Sequence, residues 1–194
     1  MMFAGSADAH DPAGAGYDYT CSSGRGAESV PGVCYTHHSD ATARFIYGDS
    51  VGSNGYVASL DAGYQAWDQT FNHVFNYTRE GIDSANNANV TVTSVTICGS
   101  ASAVGCTSTV VSSGHIQEGS SSIRFKSGLS TSTVTDAAAH EFGHYAGLGH
   151  SDVSTATMWA TVHSGMDSLG TPDILGRCEI YGHSHAYWTS CTQT

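Results

Sequence analysis

The spacing of apolar residues changes along this chain, and each change marks an element. Ala43-Arg44-Phe45-Ile46-Tyr47 is a short β-type run that stops at Gly48-Asp49-Ser50 and predicts the first strand, with a glycine-bearing loop (Gly52, Gly55) after it. From Ser59 to Tyr77 the period becomes helical. Leu60, Tyr64, Trp67, Phe71, Val74 and Phe75 share one face, so a long first helix is expected, capped by Ser59 and packed by its aromatics. Asn89 to Cys98 alternates through Val90, Val92, Val95 and Ile97, which is strand-like. Two further β-type runs follow: Thr107–Ser113 through Val110 and Val111, and Ser121–Lys126 with Ile123 and Phe125 on one side. A second helix is predicted near Thr133, where Thr133-x-x-Asp136 can form a capping pair. It runs through Ala137-Ala138-Ala139 and stops at Gly147. Pro172-Asp173 opens a last helix that reaches Tyr181. Residues 1–20, small and polar, read as an irregular lead-in.

The second helix carries the chemistry. His140-Glu141-Phe142-Gly143-His144-Tyr145-Ala146-Gly147-Leu148-Gly149-His150 has the pattern H-E-x-x-H-x-x-G-x-x-H. Histidines four apart lie one turn apart on one helix face, so both imidazoles can reach one ion. Gly147 can take a positive φ, end the helix and let His150 return to the same ion from a loop. Three imidazoles on tetrahedral zinc (Zn2+) leave a fourth position open, which marks a catalytic rather than a structural site. Glu141 is then expected as general base, not ligand. From this chain's composition the five fixed letters meet by chance with a probability of about one in ten thousand.

These residues resemble the metzincin zinc peptidases, and within them the matrixin branch. Ser151 directly follows the third histidine, and Met158 falls eight residues past His150, at the place of the matrixin Met-turn. Asp173-Ile174-x-Gly176-x-x-x-Ile180-Tyr181-Gly182 is similar to the matrixin C-terminal helix. The close likeness covers residues 133–182. It implies an α+β, zincin-like fold: a mixed twisted sheet, a long first helix, the zinc-binding helix, a Met-turn and a C-terminal helix. It also implies one metallopeptidase domain over residues 1–194, with an upper part at 21–150 and a smaller lower part at 151–194.

The activity that the resemblance implies is hydrolysis of internal peptide bonds, with zinc-activated water as nucleophile and Glu141 as general base. The partner is then a protein or peptide substrate. Its binding is expected on an edge strand, for which Thr107–Ser113 (Val110, Val111) is the candidate with Ser121–Lys126 as inner neighbour, and on the wall after the Met-turn (Trp159, Ala160, Val162). Matrixins continue Met-Tyr-Pro-x-Tyr, whereas this chain has Met158-Trp159-Ala160-Thr161-Val162, so its side-chain preference is not carried over. A Tyr two residues past the Met, as in astacins and serralysins, is lacking. Calcium (Ca2+) is left open without support, because no His- and Asp-rich matrixin-like loop precedes Thr133 and His115 with Glu118 is too sparse a set. No Cys-containing activation motif of the family is visible. The alternative reading is a secreted module that binds zinc without catalysis, but an intact Glu141 argues against it. An aminopeptidase is disfavoured because no acidic cluster is present to hold a free α-amino group.

Composition sets outer bounds. At 194 residues the chain suits one domain with a full core. The formal charge of -11 argues against nucleic acid and anionic membranes as partners. No stretch approaches the length of a membrane span. The first nine residues lack a basic segment and a long apolar core, so they are not an intact signal peptide. Six cysteines (Cys21, Cys34, Cys98, Cys106, Cys178, Cys191) with no C-x-x-C point to disulfides and an oxidising, extracellular compartment. Fifteen pairings can be drawn. Closure between sequence neighbours favours Cys21–Cys34, Cys98–Cys106 and Cys178–Cys191. A monomer is expected. His37-His38 and His183-x-His185 read as solvated, and Asn76 and Asn89 fit glycosylation acceptors.

Overall fold

A computed structural model describes residues 42–70, 75–83, 87–112, 115–151 and 153–181. The expectations at Cys21, Cys34, Cys191, His37-His38 and His183-x-His185 lie outside these residues, as does the side chain of Cys178. Strand β1 (Thr42–Gly48) buries Ala43, Phe45 and Tyr47 on one face, as a period of two requires. The loop expected next is a short helix, α1 (Asp49–Ser53), whose coil carries Val51 into the core. Helix α2 (Val57–Thr70) starts two residues before Ser59, which is buried within it rather than capping it.

The helix predicted to reach Tyr77 gives way to β2 (Asn76–Asp83). Phe75 and Tyr77 are buried while Asn76 and Thr78 are exposed, so alternation prevails over the helical period once the chain lies beside β1. β1 and β2 pair in parallel, which requires a crossover, and α2 lies within it.

β3 (Val90–Thr93) buries Val90 and Val92 and ends well short of Cys98. Thr93 Oγ1 accepts the N–H of Val95, drawing the chain out of the ladder, and Val95 is 65% exposed. The run expected over Thr107–Ser113 splits into β4 (Gly105–Ser108) and β5 (Val111–Ser112). Between them Val110 donates its N–H to Ser121 Oγ and accepts from Gln117 N, so the chain leaves the sheet there. β5 then pairs with β6 (His115–Ile116). A 3-10 turn at Glu118–Ser120 leads to β7 (Ser122–Lys126), whose Ile123 and Phe125 are fully buried.

The main sheet has the order β2-β1-β3-β7-β4. β2, β1, β3 and β7 run parallel, and β4 closes one edge antiparallel to β7. With the helices this is a mixed-sheet α+β architecture, as expected from the sequence.

Helix α3 (Thr131–Tyr145) is capped by Ser130, not by the expected Thr133–Asp136 pair. Ser130 Oγ accepts the Thr133 N–H at 3.2 Å, while Asp136 is buried and takes the N–H of Gly165 at 3.0 Å. α3 packs closely on α2. Trp67 Nε1 donates to the Ala139 carbonyl at 2.8 Å, and Gly63 faces Ala138 with no room for a side chain. Phe142 turns to the sheet, 5.0 Å from Phe45 between ring centres. Helix α4 (Thr171–Tyr181) docks through Arg177, fully buried, whose guanidinium lies 4.3 Å over Phe75 and donates to its carbonyl at 2.8 Å. Asn89 serves the fold as well. Its Oδ1 accepts from Ile46 N and its Nδ2 donates to Tyr145 Oη, both at 2.8 Å, so this half-buried amide is a joint between β1 and α3 rather than an accessible acceptor for sugar.

Candidate metal centre and active site

α3 brings His140 and His144 to one face. After Tyr145 the chain turns at Gly147, whose φ of 98° favours glycine, and Leu148 N donates back to the Gly143 carbonyl at 3.0 Å. That reversal returns His150 to the same point. His144 Nε2 lies 3.0 Å from His140 Nε2 and 3.2 Å from His150 Nε2. All three donor atoms fall within 4.8 Å of one another, and they form the one such group among the described residues. His140 is buried, His144 half-buried and His150 exposed, so the cluster opens to solvent on the His150 side.

The donor set fits zinc. Tetrahedral zinc with bonds of about 2.0 Å places its nitrogens about 3.3 Å apart, close to the two separations observed. Hydrogen bonding sets the tautomers. His140 Nδ1 donates to the Thr157 carbonyl at 2.7 Å, and His144 Nδ1 donates to the Leu148 carbonyl at 2.8 Å. A carbonyl only accepts, so each Nδ1 holds the proton and each Nε2 presents a lone pair. Two lone pairs this close repel unless a cation lies between them. Burial keeps the rings neutral. It pushes His140 down to about 4 against the pull of the Thr157 carbonyl, takes His144 well below its ordinary value, and lowers His150.

Glu141 does not join that cluster. It is buried, and burial pushes its carboxyl up to about 7, while hydrogen bonds from Thr107 pull the other way. Thr107 Oγ1, on the edge strand, lies 2.6 Å from Glu141 Oε2 and 3.0 Å from the Glu141 carbonyl. Gly105, two residues earlier on the same strand face, leaves space for the carboxylate: a Cβ there would stand 2.6 Å from Glu141 Oε1.

Met158 is fully buried and its sulfur packs against Gly143, between the two helical ligands. The turn that carries it is held by Asp173 of α4. Asp173 Oδ2 accepts the N–H groups of Thr157 (2.9 Å) and Gly170 (2.8 Å), and Oδ1 accepts that of Met158 (2.9 Å). Thr157 therefore receives α4 through its N–H and passes the constraint to His140 through its carbonyl.

Trp159 and Val162 are half-buried and Ala160 is exposed on the segment after Met158. Val110 is 43% exposed beyond the end of β4, and the Val111 backbone lies in β5. The structure thus does not place Val110 and Val111 on the edge strand of the main sheet. Cys98 and Cys106 are joined in a disulfide across the loop before β4.

In the sequence Thr107 is only the start of the candidate edge strand, and Gly105 and the carbonyls of Thr157 and Leu148 carry no mark, because each meets the site only through the fold. Asp173 is marked in the sequence only as the start of the last helix.

The Matrixin family model matches residues 50–182, more than half of the chain, from α1 to just past α4. No curated protein matches the chain.

Proposed function

The chain belongs to the matrixin family of peptidases, and from that premise we propose that it is an exported zinc endopeptidase that cuts internal peptide bonds with Glu141 as general base. The observation that carries this reading is the convergence of three Nε2 atoms, two of them from the helix that also carries the buried Glu141. His140, His144 and His150 would hold the ion. When bound, zinc supplies the Lewis acidity that makes water a nucleophile at a pH of about 7.

The rest is the work of the chain. The Thr157 and Leu148 carbonyls orient His140 and His144. The Glu141 carboxylate takes the proton of the attacking water and returns it to the leaving amine. An extended peptide would lie along β4, the open edge of the sheet, with Trp159, Ala160 and Val162 beside it and Val110 at the strand's far end. Export to an oxidising compartment is supported by the Cys98–Cys106 bridge. Among the described residues no helix is long and apolar enough to cross a membrane.

The test is cleavage of denatured casein before and after chelation, with zinc restored and Glu141→Ala alongside. Cleavage that is lost to chelator, regained with zinc and absent in the variant supports the proposal. Stoichiometric zinc with no bond cut in the wild type overturns it in favour of a binding module.

A further inference from the structure

We propose that Thr107 is a positioning residue for the general base: its hydroxyl fixes one oxygen of the Glu141 carboxylate against β4. The proposal rests on the endopeptidase reading of the same site and adds a residue outside the zinc motif.

Three observations carry it. First, Thr107 Oγ1 stands 2.6 Å from Glu141 Oε2, the length of a strong hydrogen bond from a hydroxyl to a carboxylate. Second, strand alternation points Gly105 and Thr107 to the same side of β4. They pair with Phe125 and Ile123, both of which are fully buried, so this is the face turned toward α3. The carboxylate therefore lies along the strand, with Oε2 at the Thr107 hydroxyl and Oε1 over Gly105, where any side chain would collide with it. Third, the strand is braced at this point. Cys106, between the two, is bonded to Cys98, and all four residues of β4 pair with β7.

A glutamate has three rotatable side-chain bonds. Without a fixed partner a base of that length samples several positions, and a shift of about 1 Å costs on the order of 100-fold in rate. A hydroxyl that donates to Oε2 holds the group in one place and leaves Oε1 to accept the proton of water. The contacts of the hydroxyl are to Glu141 and not to the three histidines, so it acts through Glu141.

The experiment compares Thr107→Val, which keeps the shape and loses the hydroxyl, with Thr107→Ser, which keeps the hydroxyl. Two readouts are taken. One is kcat and KM, measured separately on a peptide substrate. The other is the side-chain carboxyl 13C resonance of Glu141, assigned by its loss in Glu141→Gln and recorded in the zinc-free protein and the zinc-loaded protein. The expected result is a kcat for Thr107→Val lower by about 10-fold to 100-fold at nearly unchanged KM and zinc content. The Glu141 resonance moves in the same variant, and both readouts return toward wild type in Thr107→Ser. A Glu141 resonance unmoved by Thr107→Val overturns the proposal, and so does a kcat within twofold of wild type or a serine variant as impaired as the valine one. A wild type that cleaves nothing refutes the endopeptidase reading instead. The resonance still decides whether Thr107 holds the carboxylate.

Discussion

Asp173 Oδ1 accepts the backbone N–H of Met158 at 2.9 Å, and this bond ties α4 to the turn beneath the histidines. Its other oxygen takes the Thr157 N–H, and the Thr157 carbonyl holds His140 Nδ1. Asp173→Asn replaces one acceptor by an NH2 that faces a backbone donor. Stability is expected to fall by about 2 kcal/mol, since a buried donor loses its partner. Zinc affinity is expected to fall by about tenfold, because the orientation of His140 is no longer held. Urea unfolding and competition with a chromogenic chelator measure the two effects. An unchanged affinity would show that the turn holds its shape without α4.

The contact between α2 and α3 sets a second prediction. A methyl at Gly63 stands 2.4 Å from Ala138 Cβ and 2.8 Å from the backbone of Ala138 and Ala139. None of these atoms is the end of a flexible side chain, so Gly63→Ala must push the helices apart and strain the Trp67 bond to Ala139. Overpacking of this kind costs about 1–3 kcal/mol. Thermal unfolding that matches wild type would mean that α2 shifts along α3 without loss.

The Cys98–Cys106 bridge closes a loop of sequence separation 8. Restricting an unfolded chain by a loop of that size stabilises the fold by about 2.5 kcal/mol on the chain-entropy model. The double variant Cys98→Ser/Cys106→Ser is therefore expected to lose about that much and still bind zinc, because no ligand lies in the loop. Loss of zinc together with stability would mean that β4 braces the histidines as well as the base.

How far the sequence could be read follows from where each constraint lies. The ligand helix and Gly147 were legible because one ion must be reached from a fixed helical spacing, and that requirement is local. The loop disulfide was legible for the same reason. The end of the first helix was not, because Phe71, Val74 and Phe75 continue its period while Phe75 and Tyr77 already alternate with Asn76 and Thr78; only the neighbouring β1 decides between them. The cap of α3 lies three residues before Thr133, since Ser130 and Thr133 are both good caps and the fold uses the first. Asn89 matched a glycosylation pattern, yet the fold uses its amide to join Ile46 and Tyr145. Thr107 is an ordinary strand residue until α3 packs against β4.

The metal-free protein carries opposed titrations in the histidines and in Glu141, and their signs can be separated. His140 is held at about 4 when folded and titrates near 6.5 when unfolded. Between those values the unfolded chain binds more protons, so stability falls as pH drops from about 6.5 toward about 4. His144 and His150 are also lowered and act in the same direction. Glu141 acts the other way. Its folded value of about 7 exceeds its unfolded value of 4.5, so its contribution is fully present below the unfolded value and is lost as pH rises through the folded one. Acid therefore weakens the fold through the histidines and strengthens it through Glu141. Glu141→Gln removes only the second effect. In chelated protein, urea unfolding at pH 7 and pH 5 is expected to show a larger acid loss for Glu141→Gln than for wild type. Equal losses in the two proteins would mean that Glu141 titrates alike in the folded and unfolded chains, and that its burial against β4 leaves its charge unpenalised.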